Sequence, residues 1–340
     1  MDVHRLSLVS MPPIHLPTLS IGDRIQHELM VVERMEKKTT AGDPFVLLTL
    51  GNASGRIDTA PIWSDKLEWA DGALPGRVVQ AIGNVATYAK GGTQKRQLQL
   101  SGPVRVVNEA LVNLDEFLPH IDGDCVQLWN WIDRTRSDMK SATLRRVLDL
   151  FFGDDAFRVA FERTPGSTAG HHAKIGGLLM HVFEVTNIAR QTARTMKANV
   201  DLVVAGALLH DVGKVEAYTV GAGGFTFTPC GLLVGHVVLG VMMLERRLAA
   251  LGEAVCSAGQ LLDLQHMILS HHGKHEYGSP VEPMTAEAEI VHWADEASAK
   301  ANDMLESIDD PESFPGGGEI SDRKIWRVGR KVWKRPHSWD

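Results

Sequence analysis

Histidines and carboxylates stand where a helical chain should be apolar, and this restricts how the chain can fold. Ten of the 15 histidines fall between positions 171 and 295. Several are embedded in runs with three- and four-residue apolar spacing, the pattern of a buried or amphipathic helix. His181 sits in GGLLMHVFEV, His210 ends VVAGALLH, His236 opens HVVLGVMML, and His271 and His272 close LQHMILSHH. Two carboxylates are placed alike: Asp211 directly follows His210, and Asp295 interrupts IVHWADEA. A single histidine on an apolar helix is usually a satisfied core residue. A buried carboxylate, however, is costly unless it is paired or coordinates a metal. Facing helices can deliver such groups to one cavity, and imidazole with carboxylate suits Mn, Fe, Co or Zn.

The rest of the chain gives that cavity a setting. A length of 340 residues predicts about two domains. With 44% hydrophobic and 23% charged residues, the composition is globular rather than disordered or collagen-like. The formal charge of −7 excludes a strongly basic nucleic-acid coat but not a local basic patch. Cys125, Cys230 and Cys256 show no CxxC spacing, which supports neither a disulfide framework nor a zinc ribbon. MDVHRLSLVS has no secretory pattern, and the most apolar stretch, 231–244, is shorter than the ~20 residues a spanning helix needs. That stretch reads as a buried helix, and the protein as cytoplasmic with no membrane partner.

The first third reads as β: IQHELMVVER at 25–34, FVLLTL at 45–50, RIDTAPIW at 56–63, VVQAIGNVATYA at 78–89 and RQLQLSGPVRVV at 96–107. Five short strands with Gly-rich connections predict a small barrel or sandwich. SDKLEWADGAL, between the third and fourth, is expected as a short helix. From Leu114 onward the spacing becomes helical, and the tail after Pro311 is expected to be partly extended.

The order His181, His210-Asp211, Asp295 resembles the HD superfamily of metal-dependent phosphohydrolases. HHAKIGGLLMHVFEV, AGALLHDVGKV, GLLVGH and LSHHGKHEYGSPVEPMTAEAEIVHWADEASAKAND are similar to the YhaM-type bacterial 3′→5′ exoribonucleases. PFVLLTLGNASGRIDTAPIW is similar to the OB strands of that family, and SDRKIWRVGRKVWKRP to its basic C-terminal segment. The resemblance implies a multidomain β plus all-α protein. An OB-fold barrel at 15–108 would be followed by a helical connector at 109–160, an all-α HD core at 161–305 and a basic aromatic tail at 306–340. Glu296 and Ser298 depart from the family pattern, which expects an asparagine and an acidic residue there.

By the same resemblance His181, His210, Asp211 and Asp295 would hold one divalent ion. Asp211 would bridge to a second held by His236, His271 and His272. Manganese comes first, with cobalt, iron, zinc or magnesium as alternatives, and one or two ions per chain are open. Two cations ~4 Å apart would activate a water and stabilise charge on phosphate. Lys214, three residues beyond Asp211, is a candidate to meet a substrate phosphate, or else a solvated helix-end lysine. His171 and His172, in TAGHHAKIGG, would orient phosphate or protonate the leaving 3′-oxygen, or serve structure. Lys274 and His275 are weaker candidates, while His266 and His292 read as supporting or core residues.

Residues 19–108 hold 11 Lys+Arg against 9 Asp+Glu, whereas 160–305 hold 10 against 15. The β module therefore leans towards a single-strand binder, in which aromatic side chains stack bases and cations follow the backbone. Trp63 and Tyr88 are its candidate platforms; Arg56, Lys90, Lys95 and Arg96 are candidate phosphate contacts. In the tail, Arg330 and Lys331 belong to seven basic residues interleaved with Trp326, Trp333 and Trp339, a mix that suits RNA or a neighbouring subunit. The expected activity is exonucleolytic shortening of single-stranded RNA, with DNA an open alternative, to nucleoside 5′-monophosphates. Two rival readings remain: an HD phosphohydrolase of a small nucleotide or cyclic dinucleotide, and a non-catalytic RNA-binding protein. A homo-oligomer is also open.

Overall fold

Strand-forming residues in the first third curl into a closed sheet. In the computed structural model, which describes residues 14–90, 93–108, 112, 114–221, 224–310, 313–314 and 316–339, seven strands form here. They are β1 (Arg24–Lys38), β2 (Pro44–Asn52), β3 (Gly55–Asp58), β4 (Ile62–Trp63), β5 (Val78–Lys90), β6 (Thr93–Leu100) and β7 (Arg105–Val106). The order is β3-β2-β1-β5-β6, with β4 on β2 and β7 on β5, and every strand pairing is antiparallel. A parallel bridge from Thr59 to Leu98, with Ala60 N–H donating to the Leu98 carbonyl at 2.9 Å, joins the ends of this path. The result is an OB-type barrel. An irregularity in β1 between Val31 and Glu33 lets that long strand bend around it. Ile25, Leu29, Leu48, Leu50 and Leu98 fill the interior and are fully buried.

Two expected strands each divide in two. RIDTAPIW breaks at Pro61 and RQLQLSGPVRVV near Pro103, because proline has no N–H to continue a ladder. SDKLEWADGAL forms a 3-10 helix at Ser64–Ala70.

Ten α-helices follow among the described residues: α1 (Cys125–Ser137), α2 (Ala142–Phe152), α3 (Asp155–Arg163), α4 (Gly177–Met196), α5 (Val200–Leu209), α6 (Lys214–Ala217), α7 (Pro229–Leu233), α8 (His236–Ala249), α9 (Ala258–Ser270) and α10 (Ala286–Asp309). Side chains of Asp124, Ser141, Asp154, Asn199 and Thr285 accept first-turn amides, and Ser257 with Gln260 makes a full capping box. An aromatic cluster of Trp129, Phe151, Phe152, Phe157 and Phe161 merges with apolar residues of α4, α5, α8 and α9 in one core. The stretch 109–160, expected as a connector, thus contributes α1–α3 to the core of the helical unit. That unit comprises residues 120–220 and 225–340; the barrel lies in the other, residues 1–119 with 221–224.

The stretch 231–244, expected as one buried helix, does not form one. Gly235, at φ +81°, separates α7 from α8, and Leu232 and Leu233 are left 71% and 86% exposed. No described helix is long and apolar enough to cross a membrane. The tail is extended, with bridges Ile320–Trp333 and Ile325–Arg330, and it packs Phe314, Val328 and Val332 against Met304 and Ile308 of α10.

Phe152 is fully buried where the aromatic cluster meets the main core. Phe152→Ala should cost about 3–5 kcal/mol, read as a lower urea midpoint by circular dichroism.

Candidate metal centre

Three helix ends and two helix interiors supply the centre. His181 lies within α4, His210 caps the C-terminus of α5, and Asp211 follows it. His236 is the first residue of α8, His271 caps the C-terminus of α9 with His272 after it, and Asp295 lies within α10. Close approach requires glycine at position 213: a Cβ there would lie 2.0 Å from the His236 carbonyl oxygen. The turn after Asp211 can therefore press against the start of α8, bringing Asp211 to His236.

The ligand atoms form two groups, His181/His210/Asp295 and His236/His271/His272, each with its atoms within 4.8 Å of one another. Asp211 stands between them. Its Oδ2 is 3.1 Å from His210 Nε2 and 3.4 Å from His181 Nε2. Its Oδ1 is 3.4 Å from His236 Nε2 and 3.7 Å from His271 Nε2. Asp295 Oδ1 lies 3.0 Å from His181 Nε2.

The outer ring nitrogens fix the tautomers. Nδ1–H of His210 donates to the Ala207 carbonyl, that of His271 to Ile268 and that of His272 to Tyr277, each at 2.7 Å. A carbonyl only accepts, so the proton is on Nδ1 and the Nε2 lone pair faces inward. His181 uses a relay instead. The Ser298 hydroxyl donates its one proton to Glu184 Oε2 at 2.7 Å, so it accepts from His181 Nδ1–H at 3.1 Å. Asn302 also donates to Glu184 Oε2, at 2.7 Å.

The protein's own groups do not satisfy one another here. Asp211 Oδ1, His236 Nε2 and His271 Nε2 are buried with no hydrogen-bond partner among the described residues. The Nε2 atoms of His181 and His210 are only 3.3 Å apart. Buried acceptors that converge in this way call for a cation, and the nitrogen and oxygen donors suit a divalent transition metal.

Protonation follows burial and charge. Burial would raise the pKa of Asp211, but Lys214, His210 and His181 outweigh it and keep the carboxylate ionised. Asp295 is held well below the usual range, against burial, chiefly by His181. Burial pushes His236 down to about 3, and burial with the neighbouring His272 and His210 holds His271 well below 6.5. His181 moves the other way, since hydrogen bonds to Asp211 and Asp295 overcome its burial.

All seven expected ligands therefore converge. The other candidates take varied places. Lys214 Nζ is turned inward, 2.6 Å from Asp211 Oδ2 and donating to the Gly166 carbonyl at 2.7 Å. Asp211 keeps it charged despite burial. His172, buried at φ +52°, has its Nε2 3.0 Å from Glu184 Oε2. The His171 ring lies 5.2 Å from that of His181, centroid to centroid, and its Nδ1 is 3.8 Å from Asp303 Oδ2. His292 supports the α9 terminus through the His271 carbonyl, and His266 Nε2 accepts from Met284 N–H. Lys274 is exposed beside Tyr277, and His275 contacts the Ser279 carbonyl.

Glu184, Ser298 and Asn302 were not among the expected site residues. Glu184 did leave a trace, being a charge three residues after His181 in HVFEV.

In the barrel, Trp63 is 48% exposed, with its ring 5.2 Å from that of Phe45. Tyr88 is half-buried and pairs with Lys95 across β5 and β6, and Arg56 is exposed. Arg96 is exposed, and its Nη1 donates to the Pro17 and Leu19 carbonyls in the segment before β1 at 2.9 and 2.7 Å. The Lys90 side chain lies outside the described residues. Arg330 and Lys331 are exposed in the tail.

An HD-type metal-dependent hydrolase core, carried in one chain with an OB-type barrel, is the class this fold and centre define. The family model for the HD domain matches residues 178–300. The 3′-5′ exoribonuclease YhaM of Bacillus subtilis (strain 168) is 31% identical over 315 residues, covering 92% of this chain and 96% of the relative. That of Bacillus licheniformis is 31% identical over 318 residues, covering 92% and 96%. The chain belongs to the YhaM family of 3′-5′ exoribonucleases. A solved domain of replication protein A from Methanococcus maripaludis is 17% identical, covers 29% of this chain and 98% of that domain, and has a TM-score of 0.22, which adds nothing to the barrel topology.

Two predictions follow from the proton positions. In the chelated protein, His236 and His271 fold neutral, whereas the unfolded chain protonates them near 6.5. Their stabilisation is present above about 6.5 and is lost as pH falls towards 3. His181, being raised, stabilises below 6.5 and loses that contribution above its folded value. With two rings against one, the chelated protein should melt at a lower temperature at pH 5 than at pH 7; an equal or higher midpoint would contradict the assignment. Ser298→Ala removes the partner of His181 Nδ1. Manganese affinity by calorimetry should fall about 10- to 100-fold, with helix content unchanged.

Proposed function

We propose that this chain is a metal-dependent 3′→5′ exoribonuclease that removes nucleoside 5′-monophosphates one at a time from single-stranded RNA. The observation that carries the reading is the Asp211 carboxylate, which turns one oxygen to each of two histidine groups. His181, His210, Asp295 and Asp211 Oδ2 would hold one divalent ion; His236, His271, His272 and Asp211 Oδ1 would hold the other. Bound there, manganese or a similar dication supplies water activation and neutralises charge on the scissile phosphate.

The protein's own groups prepare that chemistry. Fixed tautomers aim the lone pairs of His210, His271 and His272 without reorganisation at the moment of reaction. Lys214 keeps Asp211 ionised and ties it to the loop bearing His171 and His172 through the Gly166 carbonyl. Its ammonium places positive charge at the centre. His172 can offer a leaving oxygen only Nδ1, because Glu184 holds its Nε2.

The barrel favours a polymer over a small nucleotide. A mononucleotide needs no groove for a strand, whereas an exposed Trp63 with Arg56 and Tyr88 suits stacked bases and a phosphate backbone. We place this work in the cytoplasm, which accords with three cysteines that are all free thiols.

The test is digestion of 5′-labelled single-stranded RNA and DNA in manganese buffer, with products sized on a gel. RNA should shorten stepwise from its 3′ end. Asp211→Asn should lower the rate about 10³-fold or more while leaving anisotropy-measured RNA binding intact. Trp63→Ala should raise the Kd for RNA about 5- to 10-fold with hydrolysis of a dinucleotide unchanged. Full manganese-dependent activity in Asp211→Asn would overturn the site.

A further inference from the structure

The same helix that carries Asp295 also anchors the tail. Glu306 lies eleven residues after Asp295 on α10, which is about three turns and roughly 16 Å along the axis, so both project from the same side. Glu306 is held from two directions. Lys174, two residues past His172 in the histidine loop, places its Nζ 3.9 Å from one carboxylate oxygen; Arg327 of the tail donates to the other at 2.9 Å. The edge of the helical unit next to the metal centre is thus continued by the tail.

At that edge the chain makes a turn, closed by Ile325 N–H donating to the Arg330 carbonyl at 2.9 Å. Val328 anchors the turn inward, packed with Phe314 and Val332. Trp326 is displayed outward and is 73% exposed, with the Arg327 guanidinium 5.6 Å from its ring centroid. Arg330 and Lys331, both exposed, follow immediately. A large aromatic face costs free energy in water, yet this one is fixed in place by a buried valine and an ion pair.

We infer that Trp326 is a stacking platform for a base of the substrate strand several nucleotides upstream of the one at the metal centre, with Arg330 and Lys331 contacting phosphates there. The inference rests on the exoribonuclease reading and adds to it a path for the strand. Every base has a π-face, so the platform would grip without regard to sequence, as an enzyme that removes successive nucleotides requires. The cations beside it would make the grip sensitive to salt. A second copy of the chain is the competing occupant, and the tail's local excess of positive charge favours the polyanion.

The test uses the full-length chain and 5′-fluorescein-labelled oligouridine of 15 nucleotides. Anisotropy is measured without metal, so binding is read apart from cleavage, and hydrolysis of a uridine dinucleotide is followed separately in manganese. Trp326→Ala should raise the Kd for the 15-mer about tenfold, the worth of one stacked base, with the dinucleotide rate unchanged and Trp326→Phe close to wild type. Equal Kd values for wild type and Trp326→Ala overturn the inference. So does sedimentation showing that Trp326→Ala dissociates an assembly while 15-mer affinity per chain is unchanged. If the wild type binds the 15-mer through Trp326 yet cleaves nothing, the exoribonuclease reading fails and the platform stands.

Discussion

One buried carboxylate organises the helical unit. Asp211 is almost wholly removed from water, and an ionised group in that position survives only if its surroundings supply positive charge or donors. Lys214 supplies one charge at 2.6 Å, and four imidazole nitrogens face the two oxygens. Four separate helices must therefore end or pass within a few ångströms of the same carboxyl group. Gly213 is required because the chain leaving Asp211 runs against α8, where even a Cβ would clash. α5, apolar on all sides and buried through most of its length, holds the acidic turn at the centre of the core.

The histidines show how helix ends solve two problems at once. The last carbonyls of an α-helix have no partner within it. His210 and His271 each cap a helix C-terminus, and each turns Nδ1–H back onto the carbonyl three residues earlier, Ala207 or Ile268. One hydrogen bond satisfies the orphan carbonyl and fixes the tautomer that points Nε2 inward. His181 lies inside α4, past its first turn, where the carbonyls are engaged in the helix. It therefore borrows the Ser298 hydroxyl from α10, and Ser298 passes the hydrogen bond on to Glu184. Burial would favour a neutral Glu184, but His172 and the Ser298 and Asn302 donors keep it ionised. An acidic partner for a ligand histidine is thus present, supplied by α4 through a serine on α10.

Much of this arrangement is legible in the sequence itself. Ligands such as His210-Asp211 were legible because they violate an otherwise apolar helical pattern, and a violation of that cost needs a compensating partner. The barrel was legible from alternation and Gly-rich turns, since both are local. Pro61 and Pro103 divide two strands for an equally local reason that the apolar pattern obscured. The His181–Ser298 pairing was not legible, because it joins residues 117 positions apart and depends on how α4 packs against α10. Arg96 reads as a phosphate contact beside a basic loop, and its Nη1 donates to two backbone carbonyls far away in sequence, a setting that no local pattern announces. The inward turn of Lys214 likewise depends on Gly166, which belongs to a loop 48 residues before it.

Charge at the centre resolves an apparent conflict in the composition. A chain of formal charge −7, whose helical part is the more acidic, has to receive a polyanion. Depressed pKa values leave His236 and His271 uncharged, so they contribute lone pairs and no repulsion to an incoming cation. The ionised carboxylates of Asp211 and Asp295 are set against the Lys214 ammonium and a His181 whose pKa is raised, so the protein groups leave little net charge at the centre. Converging lone pairs with little net charge favour a dication over a phosphate. Dications held by these residues would make the sign at this spot positive. Such ions would carry the largest local charges there and would favour phosphate at the bottom of the site. On the proposed function, a strand held by aromatic and basic groups would present its scissile phosphate to the centre. Lone-pair donors kept neutral by burial make this possible, and protonated histidines in the same positions would abolish it.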